Sequence, residues 1–210
     1  MCGRFALHSS QKELEEYFNL ENAEPVIQRY NIPPSTAIPI IRTHEEQLAM
    51  VNCHWGLIPH WSKDKKIQPI NARAETIANK PFFKTSFRNK RCLIPANGYY
   101  EWKNEGGKKQ PYYCKLRNYE TFAFAGLWDR WEQGEIVIES CTIITTEANI
   151  STSSIHHRMP VILDPENFTL WLDKADPSLL EPYPGRMKCF PVSSEVNNPI
   201  NNSKSLLQPL

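Results

Sequence analysis

The sequence predicts a single α+β domain in which strands outnumber helices, and three observations carry that reading. The chain has 210 residues, 40% of them hydrophobic, enough for one sizeable core, and no linker-like stretch divides it, so residues 1–210 read as one domain. From residue 37 onward, β-like runs recur at 37–42, 48–57, 91–102, 110–116, 121–128 and 137–145. Helical signals are short and few: a capping box at Ser10 and Glu13, and an Asp164-Pro165 start.

The elements follow in order. A brief N-terminal strand gives way at Ser10 to a helix in which Leu14, Tyr17 and Phe18 share one face, ending near Asn19. The segment Arg29-Tyr30-Asn31-Ile32-Pro33-Pro34-Ser35 cannot be helical through two prolines and reads as a stiff extended loop. The polar His44-Glu45-Glu46-Gln47 turn makes a hairpin of the runs on either side. Asn71 to Thr76 reads as a strand end entering a short helix, with Phe82, Phe83 and Phe87 packing its continuation inward. The run 91–102 is predicted as one apolar strand, and the adjacent His156 and His157 as pointing to opposite faces of an extended segment. Phe168, Leu170, Trp171 and Leu172 lie on or near the buried face of the helix begun at Asp164; after a strand at 189–192 the Asn-rich tail shows no regular pattern.

Composition narrows the function. A net charge of +1, with 24 basic and 23 acidic residues, excludes a histone-like polycation and confines any nucleic-acid contact to local patches such as Lys63 to Lys66. Apolar runs are strand-sized, so neither a signal peptide nor a transmembrane helix is predicted; the expectation is a cytoplasmic protein, nucleoid-associated if bacterial, with no membrane partner. The six cysteines are scattered without a Cys-x-x-Cys pair, which predicts neither a zinc site nor a disulfide framework. Cys53, Cys92, Cys114, Cys141 and Cys189 then read as small buried apolar residues.

Cys2 is different by position. Removal of Met1 leaves a thiol and an α-amine on one residue, with ordinary pKa values near ~8.5 and ~7.7–8.0. Such a pair can form an imine with an aldehyde and close onto it as a five-membered thiazolidine, which no internal cysteine can do. Gly3 permits close approach, and Arg4 sets a permanent cation two residues away. Farther along, Glu101 is a carboxyl among aromatics, suited to proton transfer, or equally to a structural salt bridge. Trp55 and Trp61 stand near the cations of 63–66, a combination that suits single-stranded nucleic acid, with Trp55 the more core-like and Trp61 the more exposed.

Six segments in order resemble one family, the SOS-response-associated peptidase (SRAP) domain: Met1-Cys2-Gly3-Arg4-Phe5, the Arg29 to Pro34 loop, Trp55-Gly56-Leu57-Ile58-Pro59, Asn71 to Thr76, Gly98-Tyr99-Tyr100-Glu101-Trp102, and Ile155-His156-His157-Arg158-Met159-Pro160. The resemblance implies a compact domain around a curved, barrel-like, mainly antiparallel sheet with a few peripheral helices. It also implies a monomer that recognises abasic sites in single-stranded DNA and crosslinks to them through Cys2, with AP-lyase-like or cysteine autopeptidase activity as related chemistry. By the same resemblance Asn71 holds the reactive end and the sugar, Glu101 assists proton transfers at the amine, and His156 promotes opening of the sugar ring. Arg4, Arg73 and Arg158 are implied as phosphate contacts, and Trp61 with Pro33 and Pro34 as the surface that stacks on or wedges the DNA. No metal or other cofactor is implied.

Three other readings remain open on sequence. An autoprocessing peptidase would use Cys2 with His156 or Glu101 as base, yet only Met1 precedes Cys2. A glutamine amidotransferase of the N-terminal-nucleophile type would share the Met-Cys-Gly start but carry an Asn-Gly-x-x-x-Asn segment, whereas Asn97-Gly98 runs into Tyr99-Tyr100-Glu101. A passive reader of modified bases would need a groove but not Cys2.

Overall fold

A computed structural model describes residues 2–210; Met1, whose removal is expected from the sequence, lies outside them. The chain enters through β1 (Phe5–Leu7) and α1 (Gln11–Phe18), whose capping box forms as the sequence predicts: Ser10 and Glu13 satisfy each other's backbone N–H groups, and Asn19 closes the helix in the left-handed conformation. After β2 (Asn22–Ala23), the segment expected to be a loop is extended but paired: β3 (Arg29–Ile32) lies antiparallel to β1, and only Pro33 onward, with no N–H to give, leaves the sheet. The hairpin forms from β4 (Ala37–His44) and β5 (Gln47–Trp55), with Glu45 and Glu46 both at positive φ in its two-residue turn. Next come β6 (Asn71–Arg73), α2 (Ala74–Ile77) and α3 (Pro81–Asn89), the last burying Phe83 and Phe87.

β7 (Arg91–Ala96), β8 (Gly98–Glu105), β9 (Lys108–Leu116), β10 (Phe122–Gln133) and β11 (Ile136–Glu147) complete the framework. β12 (Arg158–Pro160) and β13 (Ile162–Leu163) follow, then α4 (Phe168–Asp173) and β14 (Met187–Pro191). The order β11-β10-β7-β4-β5 returns to β11 through a parallel contact, Ser140 beside His54 and Cys141 beside Trp55, so five strands form a closed mixed barrel. Closure removes the open edges of the barrel strands. Ile40, Trp55, Ile94, Phe124 and Ile143 are among its buried residues, and Cys53, Cys92 and Cys141 interact as a group of buried thiols, as expected of them. Gly126 is required here: a Cβ would fall 2.7 Å from Ile94 and 2.9 Å from the Cys92 sulfur.

The single strand expected over 91–102 is two strands in different sheets. β7 belongs to the barrel; β8 belongs to a second sheet of order β14-β9-β8-β1-β3. Asn97 makes the break. Its Oδ1 accepts from the backbone of His8 (2.6 Å) and Ser9 (3.1 Å), and its Nδ2 donates to Ser9 Oγ and the Glu120 carbonyl. A bent backbone thus leaves no polar group of that side chain unpaired.

The second sheet also corrects the reading of the cysteines. β14 pairs with β9 so that Cys189 lies directly opposite Cys114, and the two are joined as a disulfide across 75 residues of sequence. Linear spacing could not reveal a pair created by strand register. The tail, too, is ordered, with short 3₁₀ turns at Ser194–Asn197 and Lys204–Leu207 and a bridge from Val192 to Pro209.

Candidate active site at the chain start

Four separate elements bring the predicted chemical residues together. Cys2 leads into β1, and the register Phe5 to Tyr99, continued two residues, sets Glu101 of β8 across from Gly3. Asn71 opens β6, which is held parallel to β11 with Asn71 beside Ile143; from there Nδ2 donates to the Cys2 carbonyl at 2.8 Å. The other end of that amide, Oδ1, is buried without a partner among the described residues. Cys2 is fully buried and Glu101 is 5% exposed. Burial, and after it the charge of Glu101, push the Cys2 thiol well up, so the resting sulfur keeps its proton.

His156 sits in the turn that follows β11, where its N–H donates to the Thr152 carbonyl. That turn overturns the expectation of an extended segment: the rings of His156 and His157 do not point apart but stack, 4.3 Å between centroids. The environments still differ, since His156 is half-buried and His157 exposed. The Arg158 N–H donates to His156 Nδ1 at 3.0 Å, which places the neutral ring's proton on Nε2, and the Arg158 carbonyl lies 3.2 Å from the same Nδ1. One backbone residue therefore serves both the neutral and the protonated ring. Burial lowers the His156 pKa, and the nearby charge of Glu101 pulls it the other way.

The residues predicted to meet DNA are less uniform. Trp61 is 51% exposed, edge-on to Phe82. Its loop is pinned on both flanks, by His60 N–H donating to buried Asp129 and by Trp131 Nε1 donating to the Ser62 carbonyl. Pro33 and Pro34 lie beside the chain start, their loop fixed to the barrel by Ser35 N–H to the Trp55 carbonyl and Thr36 Oγ1 to the Pro33 carbonyl. Arg73 is exposed, with no ion pair among the described residues. Arg4 and Arg158 are committed inward. Arg4 Nη1 donates to Asn31 Oδ1 (2.7 Å) and the Val196 carbonyl (2.8 Å); Arg158, 7% exposed, grips Glu75 with both forks and donates to the Thr145 carbonyl.

Three contributors went unassigned in the sequence. Tyr99 is fully buried and feels both Cys2 and Glu101; the period-two alternation of β8, which puts 99 and 101 on one face, was the available signal. Glu75, which anchors Arg158, lies inside a recognised segment but carries no local sign of a partner 83 residues away. Asn31, whose Nδ2 donates to the carbonyls of Val196, Asn198 and Asn201, has none either.

With that geometry in place, comparison with known proteins is specific. Residues 1–199 match the model of the family described as SOS response associated peptidase (SRAP). The abasic site processing protein YoqW of Bacillus subtilis is 44% identical, the match covering 99% of each chain. The abasic site processing protein YedK of Escherichia coli is 30% identical over the whole of both chains. A crystal structure of a protein from Bacteroides thetaiotaomicron superposes with a TM-score of 0.91 at 28% identity, again covering both chains completely.

Proposed function

The chain belongs to the SOS response associated peptidase family, and on that premise we propose that it captures abasic sites in single-stranded DNA as a covalent thiazolidine formed by Cys2 once Met1 is gone. The observation that carries this reading is the Asn71 bond to the Cys2 carbonyl with buried Glu101 and half-buried His156 alongside, an arrangement suited to fixing a chain terminus and moving protons around it. Relatives named for abasic site processing supply the substrate class.

The steps balance without a co-reactant. Opening the sugar's hemiacetal takes a proton from its C1′ hydroxyl and delivers one to the ring oxygen, work suited to His156, whose Nε2 carries a proton while Nδ1 is held by the Arg158 backbone. The α-amine adds to the freed aldehyde and water leaves, giving an imine. The thiol then adds across the C=N bond, its sulfur bonding to carbon and its proton passing to nitrogen, with Glu101 as relay. A protonated resting thiol makes the amine the first nucleophile. Asn71 Oδ1 is the acceptor offered to a sugar hydroxyl. Arg73 meets a backbone phosphate, Trp61 and the Pro33-Pro34 loop support the distorted strand, and Arg4 and Arg158 lend positive potential while bracing the site. An imine that fails to close can instead eliminate the 3′ phosphate, an AP-lyase outcome. An autopeptidase would require a thiolate, which burial opposes.

Intact-mass measurement after incubation with a single-stranded abasic oligonucleotide is the test. The expected product weighs protein plus oligonucleotide less one water, forms poorly on duplex, and is lost in Cys2→Ala. A durable adduct of equal yield in Cys2→Ala, or none in the parent, overturns the reading.

A further inference from the structure

At the opposite end of β1 from Cys2 lies a cavity of about 530 Å³ that plays no part in the chemistry above. Its rim begins at His8, six residues from Cys2, which along an extended strand is about 20 Å. Lys115, Lys188 and Lys204 converge on it from β9, β14 and the last 3₁₀ turn. None of the three has a carboxylate partner among the described residues. Glu120 is the one acid in the lining, so three lysines leave a surplus of two positive charges. His8 adds none, because burial lowers its pKa.

The walls are aromatic. His8 stacks on Tyr30 with 5.7 Å between centroids and 19° between planes, and Phe190 lies under the Lys188 ammonium at 5.7 Å. Tyr113 closes the same cavity as a buried side chain whose hydroxyl has no partner among the described residues. Gln28 and Gln208 bring exposed amides to the mouth. A volume in the range of small-molecule sites, flat aromatic rings set among polar groups, adaptable amides and a local charge of +2 are what a phosphorylated nucleoside matches, since its phosphate monoester carries about −1.5 to −2 near neutrality.

We infer that this cavity is a second, non-covalent site for a nucleoside 5′-phosphate, either a free mononucleotide or the terminal nucleotide of a DNA strand. The lysines take the phosphate, and the His8-Tyr30 and Phe190 surfaces flank the base. The site stands on residues distinct from those of the crosslink, so it holds or fails independently of that reading.

Calorimetric titration of the full chain with 2′-deoxyadenosine 5′-monophosphate, deoxyadenosine and inorganic phosphate tests it. The nucleotide is expected to bind at least tenfold more tightly than either part alone. Lys115→Ala with Lys204→Ala should weaken it at least tenfold, leaving the melting temperature and the abasic crosslink yield unchanged; Phe190→Leu should weaken it by removing the ring that flanks the base and underlies the Lys188 ammonium. Competition by an intact oligonucleotide bearing a 5′ phosphate, but not a 5′ hydroxyl, would assign the site to strand ends, and failure of both to compete would assign it to free nucleotide. No nucleotide binding, equal binding of inorganic phosphate, undiminished binding in the double variant, or a parallel loss of crosslinking would each overturn it.

Discussion

Removing the Asn71 side chain tests the hydrogen bond that positions the start of the chain. β6 is held to β11 through its backbone, so Asn71→Ala leaves the strand in place and deletes the donor 2.8 Å from the Cys2 carbonyl together with the Oδ1 offered to the sugar, which Asn71→Asp retains. An unmet buried carbonyl costs about 1–3 kcal/mol. At about 2 kcal/mol, the oriented chain end falls to roughly one thirtieth of its former population, taking ~1.4 kcal/mol per tenfold. Crosslinking at saturating protein should therefore slow about 30-fold, read as a single-turnover time course on denaturing gels. If the whole cost reached global stability, the melting temperature would drop about 4–8 °C for a chain of this size; local fraying would give less. Asn71→Asp should be slower still, because it sets an acceptor oxygen against the Cys2 carbonyl. Parent-like rates in Asn71→Ala would refute the reasoning, and equal rates for the Ala and Asp variants would show that repulsion between the Asp oxygen and the Cys2 carbonyl adds nothing to the loss of the donor.

Four further outcomes are expected. Cys2→Ser with Met1 removed should still form an imine trapped by borohydride, but should nick or release the strand instead of accumulating a durable adduct; a durable adduct without the trap would point to another nucleophile. Because burial lowers the His156 pKa, the acid limb of the crosslinking rate should fall below the ordinary imidazole range, and in Glu101→Gln, which removes the charge that raises it, lower again; His156→Ala should slow the reaction more than His157→Ala. The Arg158 guanidinium holds the Glu75 carboxyl below its usual value, so this pair stabilises the fold above the unfolded carboxylate pKa and is lost as pH falls through the folded one. Glu75→Gln should cost about 1–2 kcal/mol at pH 7, a buried-pair penalty discounted because Glu75 is nearly half exposed, and should converge with the parent in acid melts. Arg73→Ala should make the salt slope of binding to single strands shallower by about 0.7, the increment for one phosphate; an unchanged slope would remove Arg73 from the DNA path.

What the sequence made legible depended on range. The capping box at Ser10 and the Glu45-Glu46 turn are local, and both formed as read. Cys2, Asn71, Glu101 and His156 were legible as a set because short segments carry them in a recognisable order. Barrel closure by Ser140 against His54, the Cys114–Cys189 bond and the Arg158–Glu75 pair arise from contacts between elements distant in sequence, and no local pattern encodes them. The break at Asn97 was hidden for a related reason. Its apolar flanks read as one strand, and the bonds that bend it come from His8, Ser9 and Glu120, far along the chain.

Arg4 and Asn31, beside Cys2, are tied to the carbonyls of Val196, Asn198 and Asn201, a segment translated 165 to 192 residues after them. During synthesis the first residues leave the ribosome long before their braces exist. The start of the chain therefore lacks those braces while the intervening residues are made, an interval in which it is open to an aminopeptidase. A chain cut short before residue 196 would be without them altogether.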